Sequence, residues 1–277
     1  MTGVDLSVIG KPMGPVVSEY GWKDVVLYAL SVGATPDELH LVYEDAPGGL
    51  KVLPSFSTVA ILDLALANLG NVDIARLLHG EQRVLLHRSI PPAGAISNTG
   101  RVTAIYDKGA NALYELRVDG VLDDGEPLYQ AELTVLYVGA GGFGGERGPK
   151  AERASPPAGV APDFSITEQV SRSQAALYRL NGDANPIHID PTVARAVGLQ
   201  RPILHGLCTF GFATRAIVNG AMGGDPERLG EFGARFVGIV YPGDSLTTEG
   251  WQVEDRWIVQ SRTERGMVLG NGVARAG

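Results

Sequence analysis

The chain repeats itself weakly at a constant spacing of 150 residues. Identical residues recur at this spacing from Leu27 and Leu177 to Pro92 and Pro242. The first members of the matching pairs are Leu27, Tyr28, Leu30, Ala34, Pro36, Glu81 and Pro92. One offset that holds over roughly 65 residues predicts an internal duplication, because repeats at a fixed period are the signature of a copied structural unit.

Helical and extended patterns indicate that each copy is an α+β unit. We expect helices over Trp22–Val32, Ile61–Leu78, Ser173–Leu180, 190–197 and Gly206–Val218. Residues 1–21 are predicted to be irregular, and Leu39–Tyr43 and Val52–Val59 to be extended. Each copy also carries β-branched, alternating segments that are typical of an antiparallel meander. They lie near 82–90, 101–106, 112–118, 129–138, 164–170, 231–240, 245–253, 256–263 and 267–275.

A segment rich in glycine and proline separates the copies. Residues 139–163 contain seven Gly and four Pro, and such a composition favours no regular element. We predict an N-terminal domain over 1–145, a linker over 146–163 and a C-terminal domain over 164–277.

Composition disfavours several classes of protein. The formal net charge of −8 is unfavourable for binding nucleic acid or a membrane surface. The single cysteine, Cys208, cannot form an internal disulfide. No basic N-terminal region with an apolar run and no stretch of 18 apolar residues is present. We expect a cytoplasmic globular protein that binds neither nucleic acid nor membranes.

Polar side chains that carry chemistry are concentrated in the second copy. Asp183, Asn185 and His188 lie within six residues around Pro186, and a His205-Gly206 pair follows at the start of a predicted helix. An Asp and a His that share one water have the groups needed to add water across a polarised double bond. The N–H of a glycine at a helix N-terminus suits an enolate-like oxygen.

Simpler explanations of these residues remain open. Asp-Ala-Asn-Pro is also typical of an Asx turn, and His188 or His205 could be a structural histidine. A metal bound by Asp183, His188 and Asp190 would lack the usual HExxH or CxxC spacing. The first copy has Gly33, Thr35 and Glu38 at the positions of Asp183, Asn185 and His188. Because the first copy is predicted to form the same fold without these polar side chains, the fold does not require them, which favours the catalytic interpretation.

The motif resembles a known family of enzymes. Gly182–His188 (GDANPIH) and Pro202–Gly206 (PILHG) are similar to the hydratase 2 motif of MaoC-like (R)-specific enoyl-CoA hydratases. The resemblance implies a tandem, or double, hot-dog fold in which each unit is an antiparallel sheet wrapped around a long helix. It also implies that the degenerate N-terminal unit accommodates long or bulky acyl chains, and that the protein is a homodimer.

The resemblance further implies a site and a reaction. Asp183 and His188 would activate water for syn addition to a trans-2-enoyl thioester, Asn185 would help to hold the water, and Gly206 would bind the thioester oxygen. No cofactor is implied beyond the coenzyme A of the substrate. His205, Arg179 and Arg201 are the candidate substrate-binding residues. The second copy contains arginine but no lysine, and this preference could also reflect compositional bias.

Two alternatives stay open on the sequence alone. One is a dehydratase of the same architecture that acts on 3-hydroxyacyl groups carried by an acyl-carrier protein. The other is a non-catalytic acyl-CoA-binding subunit, which the intact Asp183 and His188 pair argues against.

Overall fold

The computed structural model describes residues 3–61, 64, 69–70, 72–73, 76–150 and 153–277. The strands are β1 Pro12–Tyr20, β2 Leu77–Leu86, β3 Gly94–Asp107, β4 Ala112–Leu122, β5 Pro127–Tyr137, β6 Phe164–Gln169, β7 Leu229–Phe236, β8 Ser245–Val253, β9 Arg256–Thr263 and β10 Gly266–Ala276. The α-helices within these ranges are α1 Trp22–Ser31, α2 Leu39–Val42, α3 Ser57–Ala60, α4 Gln174–Tyr178, α5 Pro191–Ala196 and α6 Gly206–Ala221.

The ten strands of the described residues join one sheet whose order is symmetric. From edge to edge the order is β1-β3-β4-β5-β2-β7-β10-β9-β8-β6. If β6–β10 are taken as second copies of β1–β5, the order is the same from either edge. The copies meet where β2 pairs with β7 in antiparallel fashion, with Arg83 opposite Gly233. These two residues are 150 apart, so equivalent positions of the two copies face each other at the centre of this ladder.

Two further pairs at the same offset are in contact. The rings of Tyr28 and Tyr178 have centroids 6.3 Å apart, and the amide Nδ2 of Asn181 donates a hydrogen bond to the Ser31 hydroxyl at 2.9 Å. Equivalent positions of two copies meet only near the axis that relates the copies. These contacts therefore mark a pseudo-two-fold axis and confirm the duplication.

Helix α6 packs against the inner face of the sheet. Residues 208–218 of this helix are buried, and Phe210 stacks on Phe232 of β7 with ring centroids 4.5 Å apart. The helix predicted over Gly206–Val218 is thus confirmed and continues to Ala221. Most of the helix predicted over Ile61–Leu78 lies outside the described residues, and residues 77 and 78 belong to β2.

Three predictions for the first copy were wrong. The region predicted to be irregular contains β1, an edge strand with a register shift between Met13 and Val16; edge strands tolerate proline because one side of the backbone needs no partner. Leu39–Val42 is helical. Val52–Val59 turns into a 3-10 helix at Pro54 and then α3, since proline favours the first position of a helix.

The segment between the copies forms no helix or strand in its described residues. Its first part packs on the first copy, where the Asp107 carboxylate accepts hydrogen bonds from Gly142 N and Gly144 N. Its last part packs on the second copy, where Trp251 donates to the Val160 carbonyl at 2.9 Å. None of the helices described is long and apolar enough to cross a membrane.

Candidate active site

The Asp183–His188 segment is a turn tied together by its own side chains. The Asp183 carboxylate accepts a hydrogen bond from Asn185 N at 3.1 Å, and Asn185 Oδ1 accepts one from Ile187 N at 3.2 Å. Pro186 then begins a one-turn 3-10 helix that ends at His188. The Asx turn proposed as the simpler explanation is therefore present. It uses one oxygen from each side chain and leaves the second Asp183 oxygen and the Asn185 amide group for other partners.

His188 is held as a neutral base. The residue is 7% exposed, and its Nδ1 lies 2.9 Å from the carbonyl oxygen of Ile203. A carbonyl accepts only, so Nδ1 carries the proton and Nε2 keeps its lone pair. Burial lowers the pKa of His188 below its ordinary value, against the opposing effects of the Ile203 carbonyl and the Asp183 charge. The imidazole is thus neutral, and its Nε2 can accept a proton near neutral pH.

His205 lies behind this pair and supports it. Only 1% exposed, its Nε2 lies 3.2 Å from the backbone carbonyl of Asp183. Its ring stacks on His188 with centroids 3.7 Å apart, and its centroid lies 4.9 Å from that of the Tyr178 ring. Burial and the neighbouring His188 lower the pKa of His205 to about 3. A neutral His205 therefore positions both the Asp183 backbone and the His188 ring.

The three ionisable side chains converge. One carboxylate oxygen of Asp183 and one ring nitrogen each of His188 and His205 lie within 4.8 Å of one another. Such a cluster has the donor types of a zinc site, but ring lone pairs lie in the ring plane. A ring nitrogen that donates to a carbonyl cannot bind a metal, which leaves only Nε2 of His188 and Nδ1 of His205 for an ion. The arrangement fits a shared water better than a shared metal.

Gly206 begins α6 immediately beside this cluster. As the first helical residue, its N–H has no acceptor within the helix and lies at the positive end of the helix dipole. A Cβ atom here would meet ring carbons of Phe236 at 3.4 Å, an ordinary van der Waals contact. Gly206 is half-buried, so the amide can meet a ligand that enters from solvent.

The equivalent turn of the first copy is filled by α6. A Cβ on Gly33, the counterpart of Asp183, would lie 2.4 Å from a ring carbon of Phe212. Glu38, the counterpart of His188, accepts a hydrogen bond from Arg215 at 2.6 Å. Arg215 also pairs with Glu168 of β6. Side chains of α6 thus occupy the position of a second site, which explains why the first copy lacks the catalytic set.

The other predicted residues lie at the edge of the cluster. Arg179 is half-buried and lies near enough to His205 to help lower its pKa. Arg201 is exposed, stacks on Tyr241 at 4.7 Å and donates to the Pro242 carbonyl at 3.3 Å. Sequence reasoning missed Tyr178 as a support of the site, because its identity with Tyr28 at the repeat offset marks it as part of the scaffold that both copies share.

Two family models together match most of the chain. A model described as the MFE-2 hydratase 2 N-terminal domain matches residues 18–139, and one described as the MaoC like domain matches residues 153–273. The first therefore falls on the first copy of the repeat, and the second falls on the copy that carries Asp183 and His188.

Known proteins of similar sequence and structure agree with these models. The probable enoyl-CoA hydratase 2 of Dictyostelium discoideum is 36% identical, over 96% of this chain and 94% of that protein. A MaoC-like dehydratase from Phytophthora capsici superposes with a TM-score of 0.89 at 26% identity, over 99% of this chain and 98% of that one. A Mycobacterium tuberculosis protein described as having a double hot-dog fold superposes at 0.63, with 14% identity over 97% and 96% of the chains. The predicted double hot-dog fold is confirmed.

Proposed function

The chain belongs to the MaoC-like enoyl-CoA hydratase 2 family, and we propose that it hydrates trans-2-enoyl-CoA to (3R)-3-hydroxyacyl-CoA. It is a hydro-lyase, and the same reaction in reverse is a dehydration. The observation that carries the proposed chemistry is the meeting of a carboxylate, a neutral imidazole and a helix N-terminal amide in one half-buried place.

The geometry supports a single-water mechanism. The water oxygen bonds to C3 of the substrate while one of its protons passes to the Asp183 and His188 pair. A proton from the pair goes to C2, so the pair is unchanged after each turnover. During the reaction negative charge develops on the thioester oxygen, and the Gly206 N–H is placed to donate a hydrogen bond to it. Because the water and the proton both come from the Asp183 and His188 side, the new bonds at C3 and C2 form on the same face of the substrate.

The remaining predicted residues take supporting roles in this proposal. Asn185 would hold the water through its amide group, since Oδ1 is already bonded to Ile187 N. His205 would act on the substrate indirectly, because its contacts are with Asp183 and His188. Arg179 and Arg201 would attract the coenzyme A phosphates, as guanidinium groups suit phosphate. No cofactor other than the substrate's own coenzyme A enters the proposed reaction.

The proposal extends to the organisation of the protein. We assign residues 1–145 to a degenerate unit that accommodates the acyl chain, 146–163 to the linker and 164–277 to the catalytic unit. Contacts of Asp107 with one end of the Gly-rich segment and of Trp251 with the other support this division. The acyl-CoA hydratase would act in the cytoplasm as a homodimer.

Absorbance of the enoyl thioester provides a direct test. We expect loss of that absorbance when the protein meets trans-2-enoyl-CoAs of several chain lengths. Asp183→Asn and His188→Gln should each lower kcat by about 100- to 10,000-fold, the range of positioned acid–base groups. Asp190→Asn is the matched control, because Asp190 caps α5 through Thr192 N at 2.7 Å and an Asn side chain also caps.

The outcomes separate the parts of the proposal. No hydration at any chain length would refute the enzyme assignment. A product that an (S)-specific 3-hydroxyacyl-CoA dehydrogenase oxidises would refute the stereochemistry. Faster turnover of the same acyl group on a carrier protein than on coenzyme A would move the enzyme to the alternative dehydratase function.

A further inference from the structure

The residues that support the catalytic pair continue across the pseudo-two-fold axis into the first copy. His205, which lies against His188 and the Asp183 backbone, has the Tyr178 ring 4.9 Å away, centroid to centroid. Tyr178 ends α4 and is 2% exposed. A buried tyrosine needs a hydrogen-bond partner for its hydroxyl. The residue that meets this hydroxyl therefore helps to decide where the His205 ring lies.

The Tyr178 hydroxyl faces Thr58, a residue of α3 in the first copy. A hydrogen bond between the two side chains opposes the rise in the pKa of Tyr178 that burial causes. Thr58 is fully buried, and its hydroxyl donates to the Ser55 carbonyl at 2.7 Å. Because that bond uses the only hydrogen of the hydroxyl, Thr58 Oγ1 is left as an acceptor. Tyr178 is therefore the donor of the bond between them.

Tyr178 and its equivalent in the first copy both meet Thr58, but they differ in what lies beyond them. Tyr28, which is 150 residues from Tyr178, also faces the Thr58 hydroxyl. The Tyr28 ring packs on Phe56 with centroids 5.6 Å apart, whereas the Tyr178 ring packs on His205. Tyr178 is thus the tyrosine through which Thr58 is connected to the catalytic cluster.

From these contacts we propose that Thr58 of the first copy is a positioning residue for the reaction, which fixes the Tyr178 ring and through it holds His205 against the catalytic pair. Thr58 is buried and acts only through these other side chains. Its loss would leave Asp183 and His188 in the chain but would loosen the stack of rings behind them. This inference rests on the proposed hydratase function and adds a residue of the first copy to its machinery.

Thr58→Val removes the hydroxyl at almost constant volume and is the main test. With trans-2-enoyl-CoA as substrate, we expect kcat to fall by about 5-fold, the value of one net hydrogen bond, while KM stays unchanged. Thr58→Ser keeps the hydroxyl and should retain most of kcat. Tyr178→Phe should lower kcat to the same extent as Thr58→Val. The double variant should lose no more than either single variant, because the two changes remove the same bond.

The pH profile gives a readout that a loss of stability alone would not move. Burial lowers the pKa of His188 below its ordinary value of 6.5, so a looser stack, which admits water to the ring, should raise this pKa. The other titratable and charged groups around the stack, Asp183, His205 and Arg179, stay in place in both single variants. We therefore expect the acid limb of kcat/KM to move to higher pH in both. NMR titration of the His188 ring, assigned by its absence in His188→Gln, should show the same shift.

Matched controls separate positioning from the general loss of a buried hydroxyl. Thr214→Val removes a buried hydroxyl that donates to the Phe210 carbonyl of its own helix at 2.9 Å, and Tyr28→Phe removes the equivalent tyrosine hydroxyl. Both variants should keep the wild-type kcat and acid limb, whatever their effect on the thermal midpoint of unfolding.

The outcomes distinguish this inference from the hydratase function. A wild-type kcat and acid limb in Thr58→Val, an equal loss in Thr58→Ser, or losses that multiply in the double variant would each overturn the inference. Should Thr58→Val fail to fold, Tyr178→Phe and its control Tyr28→Phe decide through the same two readouts. If the wild type hydrates no enoyl-CoA, the hydratase function is refuted, and the NMR titration still decides whether Thr58 holds the stack.

Discussion

Replacement of Arg215 by methionine is expected to destabilise the fold severely. Arg215 lies in the middle of α6, and its side chain is 7% exposed. It pairs with Glu38 and Glu168, whose side chains are 13% and 17% exposed, and donates to the Val32 carbonyl at 3.3 Å. Methionine fills similar volume but carries no charge, so both carboxylates would remain buried without a cation.

The size of the effect follows from this burial. Removal of one partner from a buried ion pair costs about 3 to 5 kcal/mol, because the other charge stays desolvated. Arg262→Met is the matched control, since Arg262 pairs with Glu249 but its side chain is 56% exposed. An exposed pair contributes about 0 to 1 kcal/mol. Urea denaturation followed by fluorescence of the three tryptophans measures both changes.

The pH dependence gives an independent check of the cause. Although burial alone would raise the pKa of Glu38, hydrogen bonds from Asn219 and Arg215 lower it below its ordinary value. A lowered folded pKa adds stability that is present above the unfolded pKa and is lost as pH falls through the folded one. In Arg215→Met, Glu38 would protonate more readily, so the gap to wild type should narrow in acid. A cost no larger than that of Arg262→Met would refute the reasoning.

Three further predictions concern the site and its counterpart. Gly206→Pro removes the N–H but should keep the helix, because proline suits the first helical position, so we expect kcat to fall by about 100- to 1,000-fold. Gly206→Ala keeps the N–H and should retain most of the activity. Equal losses of kcat in the two variants would contradict the oxyanion role of the Gly206 N–H. Because burial lowers the pKa of His188, kcat/KM should stay high as pH falls through 6.5, the ordinary histidine value, and decline only at lower pH. If the acid limb of the pH profile of kcat/KM had its midpoint at or above 6.5, His188 would not be a neutral buried base. Gly33→Ala should lower the thermal midpoint of unfolding, because its Cβ would lie 2.4 Å from Phe212 at a φ of +88°. Gly125→Ala has a similar φ of +84° but no atom within 4 Å of the new Cβ, so it should lower the midpoint only through backbone strain. Equal shifts of the two midpoints would contradict the steric argument.

The repeat offset was the most informative property of the sequence. It predicted two copies of one unit, and in the structure Arg83 and Gly233, which are equivalent positions of the copies, face each other where the copies join. The offset also isolated Asp183, Asn185 and His188 as residues the scaffold does not require. Errors fell on short segments such as Leu39–Tyr43, where four or five apolar residues do not distinguish a strand from a helical turn.

Local sequence determined the motif, the turn at Asn185-Pro186 and the cap of α5, because each depends on residues a few positions apart. Only the tertiary structure decided how the motif can work. The tautomer of His188 depends on the Ile203 carbonyl, and the low pKa of His205 depends on its burial and on the neighbouring His188. The two copies are joined by the ion pair of Arg215 with Glu38, 177 residues apart, and by the contact of His79 with Phe236. Such contacts depend on how the copies pack across the axis, which no local pattern encodes.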